Sequence, residues 1–341
     1  MKSAAPIVPI FALPSARRLE NWRILSRLVP ILTQQGLAVA VVRILTEGEE
    51  GAVGPVDGQG LGEIALIQLG PPDHGRESAG WMPLLASLAS QYDCLFVDGA
   101  PAGGEASNGW VASAPAGETI PAWYGLASAG DWHGSAAQIV AQLQIRLKEM
   151  PVWACVLIGG KSSRMGRPKH LLPTPTGQSW LEKTLTTIQP LVDDLVISGA
   201  GAVPVSLAGL RRIPDLPGLA GPLTGILAAM RWQPEVSWLL LACDLPDLSA
   251  DALSWLLAER RPACWATIPH QAHTDRPEPL LAWYDPRCRQ LFEQLKTAGI
   301  AKISTVVASG KVHQPVIPTK LRPAWRNVNR PEDLAVAAHG D

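Results

Sequence analysis

Runs of Val, Ile, Leu and Ala that are apolar at nearly every position recur along this 341-residue chain, at 37–44, 94–97, 152–158 and 238–242. A strand can be apolar at successive positions only if both of its faces are covered, so these runs predict parallel sheets with helices on either side. The intervening segments have helical spacing. Residues 22–34 and 135–150 are such stretches, the second carrying Ile139, Leu143 and Leu147 on one face. A further helix starts after Ser179, where Ser179 and Glu182 form a capping box and Leu181, Leu185 and Ile188 share a face. Residues 222–232 and 250–259 continue the alternation, and 7–12, 64–69 and 195–198 are additional strands. Sheets of this kind bind ligands at the carboxyl ends of their strands, which directs attention to the residues that follow each apolar run.

The length exceeds what one compact core usually supports and suggests two domains. Pro151 interrupts the helical pattern that closes the first half, and a new apolar strand begins directly after it. The boundary is therefore placed near 149–151, giving domains 1–150 and 151–341. Residues 47–62 and 101–130 read as loops, rich in Gly, Ala, Pro and polar side chains.

Composition excludes several classes. Hydrophobic residues at 47% and charged residues at 17% describe a folded chain rather than a disordered one. The five cysteines are widely spaced and odd in number, which favours buried reduced thiols over a disulfide framework or a zinc site. No basic cluster with interleaved aromatics marks a nucleic-acid surface, and no apolar run is long enough to span a membrane. The expectation is a cytoplasmic protein without membrane or nucleic-acid partners. Residues 1–150 hold 9 Lys and Arg against 14 Asp and Glu, whereas residues 151–341 hold 20 against 16, so an anionic substrate suits the second half better. The 13 tryptophans form no repeat and point to no function.

The most informative segment runs from Leu157 to Lys169, Leu-Ile-Gly-Gly-Lys-Ser-Ser-Arg-Met-Gly-Arg-Pro-Lys, between a buried strand and the next helix. Gly159 and Gly160 allow backbone N–H groups close to a phosphate, Ser162 adds a hydroxyl, and Arg164 and Lys169 supply the positive charge that a triphosphate requires. A lone Gly-Gly pair would read as a surface turn with solvated cations. So many positions in register after a buried strand favour the phosphate site. Asp244 stands immediately beyond the apolar run 238–242, where a carboxylate can either hold a metal ion or cap a helix.

This segment resembles the signature of the MobA-type nucleotidyltransferases, the family of the molybdenum cofactor guanylyltransferases. The resemblance continues in order through Asp215-Leu-Pro-Gly-Leu-Ala-Gly221-Pro-Leu-Thr-Gly225, Leu241-Ala-Cys-Asp244-Leu-Pro246, Glu278-Pro-Leu-Leu-Ala-Trp-Tyr284 and Asn327-Val-Asn329-Arg-Pro-Glu-Asp-Leu334. It covers nearly all of 152–338. It implies a doubly wound Rossmann-like nucleotidyltransferase sheet, GTP and molybdopterin as substrates, and Mg²⁺. By resemblance Asp244 and Asn329 hold the metal, Asn327 completes the phosphate site, and Leu157, Gly159, Gly160, Ser162, Arg164, Lys169, Asp215 and Gly221 contact nucleotide, with Arg164, Lys169 and Asp244 serving the chemistry. The expected reaction transfers GMP from GTP to the phosphate of molybdopterin, releasing pyrophosphate.

One departure concerns the residues after the strand run 195–197, where the family often places an asparagine that contacts nucleotide. This chain has Ser198-Gly199-Ala200. Base identity is thereby left open between a guanylyltransferase and a cytidylyltransferase or another NTP-transferase of the same fold, although Gly221–Gly225 looks more like the guanine-using members. A non-catalytic adaptor delivering cofactor is a third reading, which the combination of Arg164, Lys169 and Asp244 disfavours. An apo-molybdoenzyme or its chaperone is the implied protein partner.

The first half resembles MobB, the P-loop GTP-binding partner of MobA, through residues 28–42 and 92–99. It implies a P-loop NTPase-like α/β domain that is degenerate. Where G-x-x-x-x-G-K-[ST] belongs, the chain reads Ala12-Leu-Pro14-Ser-Ala-Arg17-Arg18-Leu19, without glycine or the P-loop lysine. Asp98 is then expected to be structural rather than a metal ligand.

Overall fold

The computed structural model describes residues 10–14, 18–44, 65–69, 85, 87–88, 90–100, 127, 129–158, 168–219, 221–272, 274 and 276–328. The chain divides into two compact units, Met1–Glu149 and Met150–Asp341.

The first unit contains strands β1 (Ile10–Pro14), β2 (Val39–Ile44), β3 (Ala65–Leu69) and β4 (Cys94–Ala100) in the order β1-β4-β2-β3, all parallel. Helices α1 (Arg18–Gln34) and α2 (Trp132–Glu149) pack against each other. In α1, Leu25, Leu28, Val29 and Leu32 are fully buried at helical spacing. The Phe11 and Phe96 rings stack with centroids 5.2 Å apart between the paired strands β1 and β4. Asp98 of β4 is fully buried. Its two oxygens accept from Asn21 Nδ2 of α1 at 2.8 Å and from Arg43 Nε of β2 at 3.1 Å. The Arg43 guanidinium also lies over the Trp22 ring, 5.0 Å from its centroid.

The second unit is built on strands β5 (Val152–Leu157), β6 (Asp194–Ser198), β7 (Arg212–Ile213), β8 (Ser237–Ala242), β9 (Ala266–Thr267), β10 (Leu281–Tyr284) and β11 (Val312–His313). Their order is β11-β9-β10-β8-β5-β6-β7. Strands β8, β5, β6 and β7 are parallel, as expected of a doubly wound sheet, but β10 runs antiparallel to both β8 and β9. The sheet is thus mixed. The reason is local: 268–280 joins β9 to β10 without a helix among the described residues, and a parallel return needs a crossover element.

Helices α3 (Trp180–Ile188), α4 (Pro222–Trp232), α5 (Ala250–Ala258) and α6 (Cys288–Thr297) cover this sheet. The continuous apolar strands supply both cores by simple alternation. Cys155, Leu157, Val196, Trp238, Leu240, Ala282 and Tyr284 join one cluster with α4 and α6. Their neighbours Ala154, Val156, Ile197, Leu239, Leu241, Leu281 and Trp283 are buried in turn, and α3 and α5 pack together, with α5 against β10.

The capping box at Ser179 is formed: its hydroxyl accepts from the Glu182 N–H at 3.2 Å and the Glu182 carboxylate accepts the Ser179 N–H at 2.7 Å. Hydrogen bonds from Ser206 and Ser179 hold the Glu182 carboxyl below its ordinary pKa. The expected loops at 47–62 and across most of 101–130 lie outside the described residues.

Helix α4 approaches β5 and β6 at Gly225. A Cβ there would stand 2.7 Å from Leu157 Cδ2 and 2.7 Å from Ser198 Oγ, both buried. Gly225→Val is expected to push α4 off the sheet and lower stability by about 1–3 kcal/mol. Denaturant unfolding of the variant measures this, and an unchanged midpoint would contradict the packing described.

Candidate active site

The carboxyl edge of the central strands is where the second unit concentrates its polar groups. Pairing continues past the strand ends, since Ile158 N donates to Ser198 O at 2.9 Å and Cys243 N donates to Leu157 O at 3.2 Å. Leu157, Ser198 and Cys243 therefore stand at one level. Asp244 follows directly, at the floor of a cavity of about 520 Å³.

That cavity is lined by Leu157, Lys169, Asp215, Gly221, Asp244 and Asn327, all of which the sequence nominates. Gly159, Gly160, Ser162, Arg164 and Asn329 lie outside the described residues. Lys169 opens a 3-10 turn after Pro168 and directs its ammonium to Asp244, with Nζ 2.9 Å from Oδ2. Both side chains are largely shielded from solvent, at 14% and 17% exposure, so this pair is screened less than a surface one. The second oxygen, Asp244 Oδ1, is buried and has no hydrogen-bond partner among the described residues. A buried carboxylate oxygen without a donor carries a desolvation cost that a cation would relieve.

Gly221 caps α4 at φ +73°, ψ −166°, a conformation open essentially to glycine alone, and Pro222 fills the first helical position. The helix thus begins at the cavity wall, where Thr224 Oγ1 also fastens the preceding turn by donating to Leu216 O at 3.0 Å. Free N–H groups at a helix start favour anions. Asp215 is exposed at the rim, its Oδ1 3.5 Å from Ser198 Oγ, so the serine that departs from the family pattern still presents a hydroxyl to the cavity.

The C-terminal segment reaches the site by three contacts. Arg326 grips Asp247 at 2.6 Å, Val328 N donates to Asp244 O at 3.1 Å, and Val328 packs with Leu172 and Trp180. Asn327 is carried to the cavity between them. His170, which no sequence pattern singled out, is buried beside Lys169, and its Nε2 lies 2.7 Å from Ala202 O. Arg212 holds the same loop, donating to Gly199 O at 3.0 Å and Gly201 O at 2.7 Å.

Cys243 neighbours the site without the character of a nucleophile: burial, and next the Asp244 charge, push its thiol up to about 12. Burial and Asp215 likewise raise Cys155.

Comparison with known proteins fixes the family. The MobA-like NTP transferase domain matches residues 154–319. The molybdenum cofactor guanylyltransferase of Bradyrhizobium sp. is 31% identical over 194 residues, which cover 53% of this chain and 89% of that protein. The chain belongs to the molybdenum cofactor guanylyltransferase family. The molybdenum cofactor biosynthesis bifunctional protein of Synechocystis sp. is 30% identical over 156 residues, 45% of each chain, so this chain matches under half of that relative's length. The solved structure of molybdopterin-guanine dinucleotide biosynthesis protein A from Archaeoglobus fulgidus is 28% identical, covering 54% of this chain and 96% of that one at a TM-score of 0.45. The family match begins within β5 and ends before Asn327. No helix among the described residues is long and apolar enough to cross a membrane.

Two predictions follow from this geometry. Asp244→Asn keeps size, the backbone contacts and an acceptor oxygen for Lys169, so the protein is expected to remain folded at a cost of up to about a few kcal/mol for the lost charge pair, while turnover falls about 10²-fold or more with the loss of charge. Parental turnover at saturating metal would remove Asp244 from the chemistry. Cys94, Cys155, Cys243 and Cys288 are buried and Cys264 only partly so. Native-state labelling with a disulfide reagent at pH 8 should therefore modify no more than Cys264, and all five thiols after unfolding.

Proposed function

We propose that the second unit transfers GMP from GTP to molybdopterin at the Lys169–Asp244 cavity, forming the guanine dinucleotide cofactor and pyrophosphate. The observation that carries this reading is the carboxylate at the strand end, one oxygen held by an ammonium and the other buried without a donor among the described residues, in a chain of this family.

The residues fit Mg²⁺. Asp244 Oδ1 is an unmet acceptor, and Mg²⁺ characteristically takes one or two carboxylates together with substrate phosphate oxygens rather than a cage of protein ligands. Among the described residues no group of three or more His, Cys, Asp or Glu is placed to form such a cage. Asp244 would hold the ion, with Asn329 as its companion by resemblance. When bound, the ion supplies charge neutralisation to the phosphate oxygens.

In the transfer, a phosphate oxygen of molybdopterin bonds to the α-phosphorus of GTP as the bond from that phosphorus to the bridging β-phosphate oxygen breaks, and pyrophosphate leaves. The chain's part is alignment and electrostatics. Lys169 brings an ammonium to the triphosphate, exchanging one anionic partner for another. The start of α4 at Gly221 adds backbone dipoles, and Asp215 with Ser198 offers a hydrogen-bonding rim for the base. The loop containing Arg164 contributes the second cation on this reading. The net positive balance of 151–341 favours two anionic substrates.

For the first unit, the reading is a MobB-like fold that no longer binds nucleotide and that serves to dock a partner or to shape the cofactor's exit. Two features support the loss of nucleotide binding: the absence of glycine from 12–19, and the commitment of both Asp98 oxygens to Asn21 and Arg43.

The deciding experiment incubates the purified chain with molybdopterin, Mg²⁺ and each labelled nucleoside triphosphate. Pyrophosphate release and the guanine dinucleotide are expected with GTP and not without metal. Equal or faster turnover with CTP would replace this assignment by the cytosine dinucleotide.

A further inference from the structure

A second cavity of about 580 Å³ opens beside the first and shares Pro222, Leu280 and Asn327 with it. The remaining wall is chiefly apolar, floored by Trp325, whose Nε1 is fixed by donation to Leu281 O at 3.1 Å and whose ring meets Trp255 edge-on. Into this surface the chain introduces three charged side chains, Arg276, Glu278 and Lys302.

Glu278 is mounted with unusual rigidity. It stands between Pro277 and Pro279, each with a fixed φ. Its N–H donates to Pro269 O at 2.8 Å, and the next carbonyl, Pro279 O, accepts from the buried Tyr284 hydroxyl at 2.8 Å. Yet among the described residues no hydrogen-bond donor is placed on its carboxylate. Burial raises the pKa of this group while Arg276 draws it back down, as expected of a half-buried acceptor in an apolar wall. Its backbone is thus fixed at the cavity wall, while its half-buried carboxylate accepts from no donor among the described residues. It is placed to receive donors from a ligand.

Resting on the transfer reading above, we propose that this second cavity is the acceptor subsite, and that Glu278 reads the N–H edge of a pterin ring while Arg276 and Lys302 favour the acceptor's anionic groups. A 2-amino-4-oxopyrimidine ring presents a ring N–H and an amino N–H side by side, matching the two oxygens of one carboxylate. Its flat ring system suits the apolar wall. Because the two cavities meet at Pro222, Leu280 and Asn327, an acceptor in the second can present its phosphate toward a nucleotide in the first. Guanine carries the same donor edge, so the alternative occupant is the base of GTP, and the experiment separates the two.

The test uses the full chain with molybdopterin and GTP and compares Glu278→Gln, which keeps size but loses the paired acceptors, with Lys302→Ala at an exposed position. Each is expected to raise the KM for molybdopterin about tenfold. The dissociation constant for GTP, measured by calorimetry without acceptor, should stay within about twofold, and Glu278→Asp should recover part of the loss. Unchanged molybdopterin KM in both variants, in an enzyme that remains active, would overturn the subsite alone. Weakened GTP binding in Glu278→Gln would overturn it in favour of the base. If the parent chain makes no dinucleotide from any nucleoside triphosphate, the transfer reading itself falls.

Discussion

The second unit depends on the pairing of β5 between two parallel neighbours. Leu157 stands opposite Ser198 on one side and Ala242 on the other. Because parallel strands end together at one edge, this register gathers three chain segments that are distant in sequence, and their ends at Leu157–Ile158, Ser198 and Ala242–Asp244 line the same cavity. A slip of one residue on β8 would exchange Trp238 and Leu240 with Leu239 and Leu241 across the sheet, exposing each set to the wrong core. The position of Asp244 is therefore set by hydrophobic packing below it. Its chemistry is not needed to place it, which is why a change such as Asp244→Asn can separate activity from folding.

What the strand edge assembles is a deliberately incomplete electrostatic arrangement. One oxygen of Asp244 is held by Lys169, and Val328 and Arg326 lock the neighbouring backbone, but the other oxygen faces no donor among the described residues. Without a ligand, the ammonium keeps the carboxylate from being a bare buried charge, and the penalty for desolvating either group is partly offset by the other. On the transfer reading proposed above, an incoming triphosphate and its cation would satisfy both groups at once.

Much of this was legible in the sequence, for physical reasons that differ from residue to residue. Strands buried on both faces announce themselves by composition, and the capping box at Ser179 by a local hydrogen-bond pattern; β5, β8 and α3 accordingly lie where the residues place them. Asp244 and Lys169 were legible because they follow a strand and a glycine-rich turn. The two-residue strands β7, β9 and β11 carry no period that could reveal them, and the antiparallel course of β10 comes from a connection without a helix. His170 and Arg212 were hidden for another reason. Each acts on backbone carbonyls of the loop 199–202, and such contacts leave no residue-to-residue signature along the chain.

The first unit shows the same strand-edge logic turned to structure. Leu13 of β1 is registered with Asp98 of β4, so the end of the first strand and the buried carboxylate lie side by side, the arrangement a phosphate loop and its metal ligand would share. Here both carboxylate oxygens are taken, by Asn21 from α1 and by Arg43 from β2, and Arg43 is further held over Trp22. Freeing Asp98 for a metal would strand a partly buried guanidinium and leave a buried amide without its acceptor, a loss of several kcal/mol by the usual cost of breaking such networks. A cation would have to supply that energy without the backbone cradle that glycine provides. A carboxylate at the strand edge, proposed for nucleotide chemistry in one sheet, thus serves in the other as the buried joint between a helix and two strands.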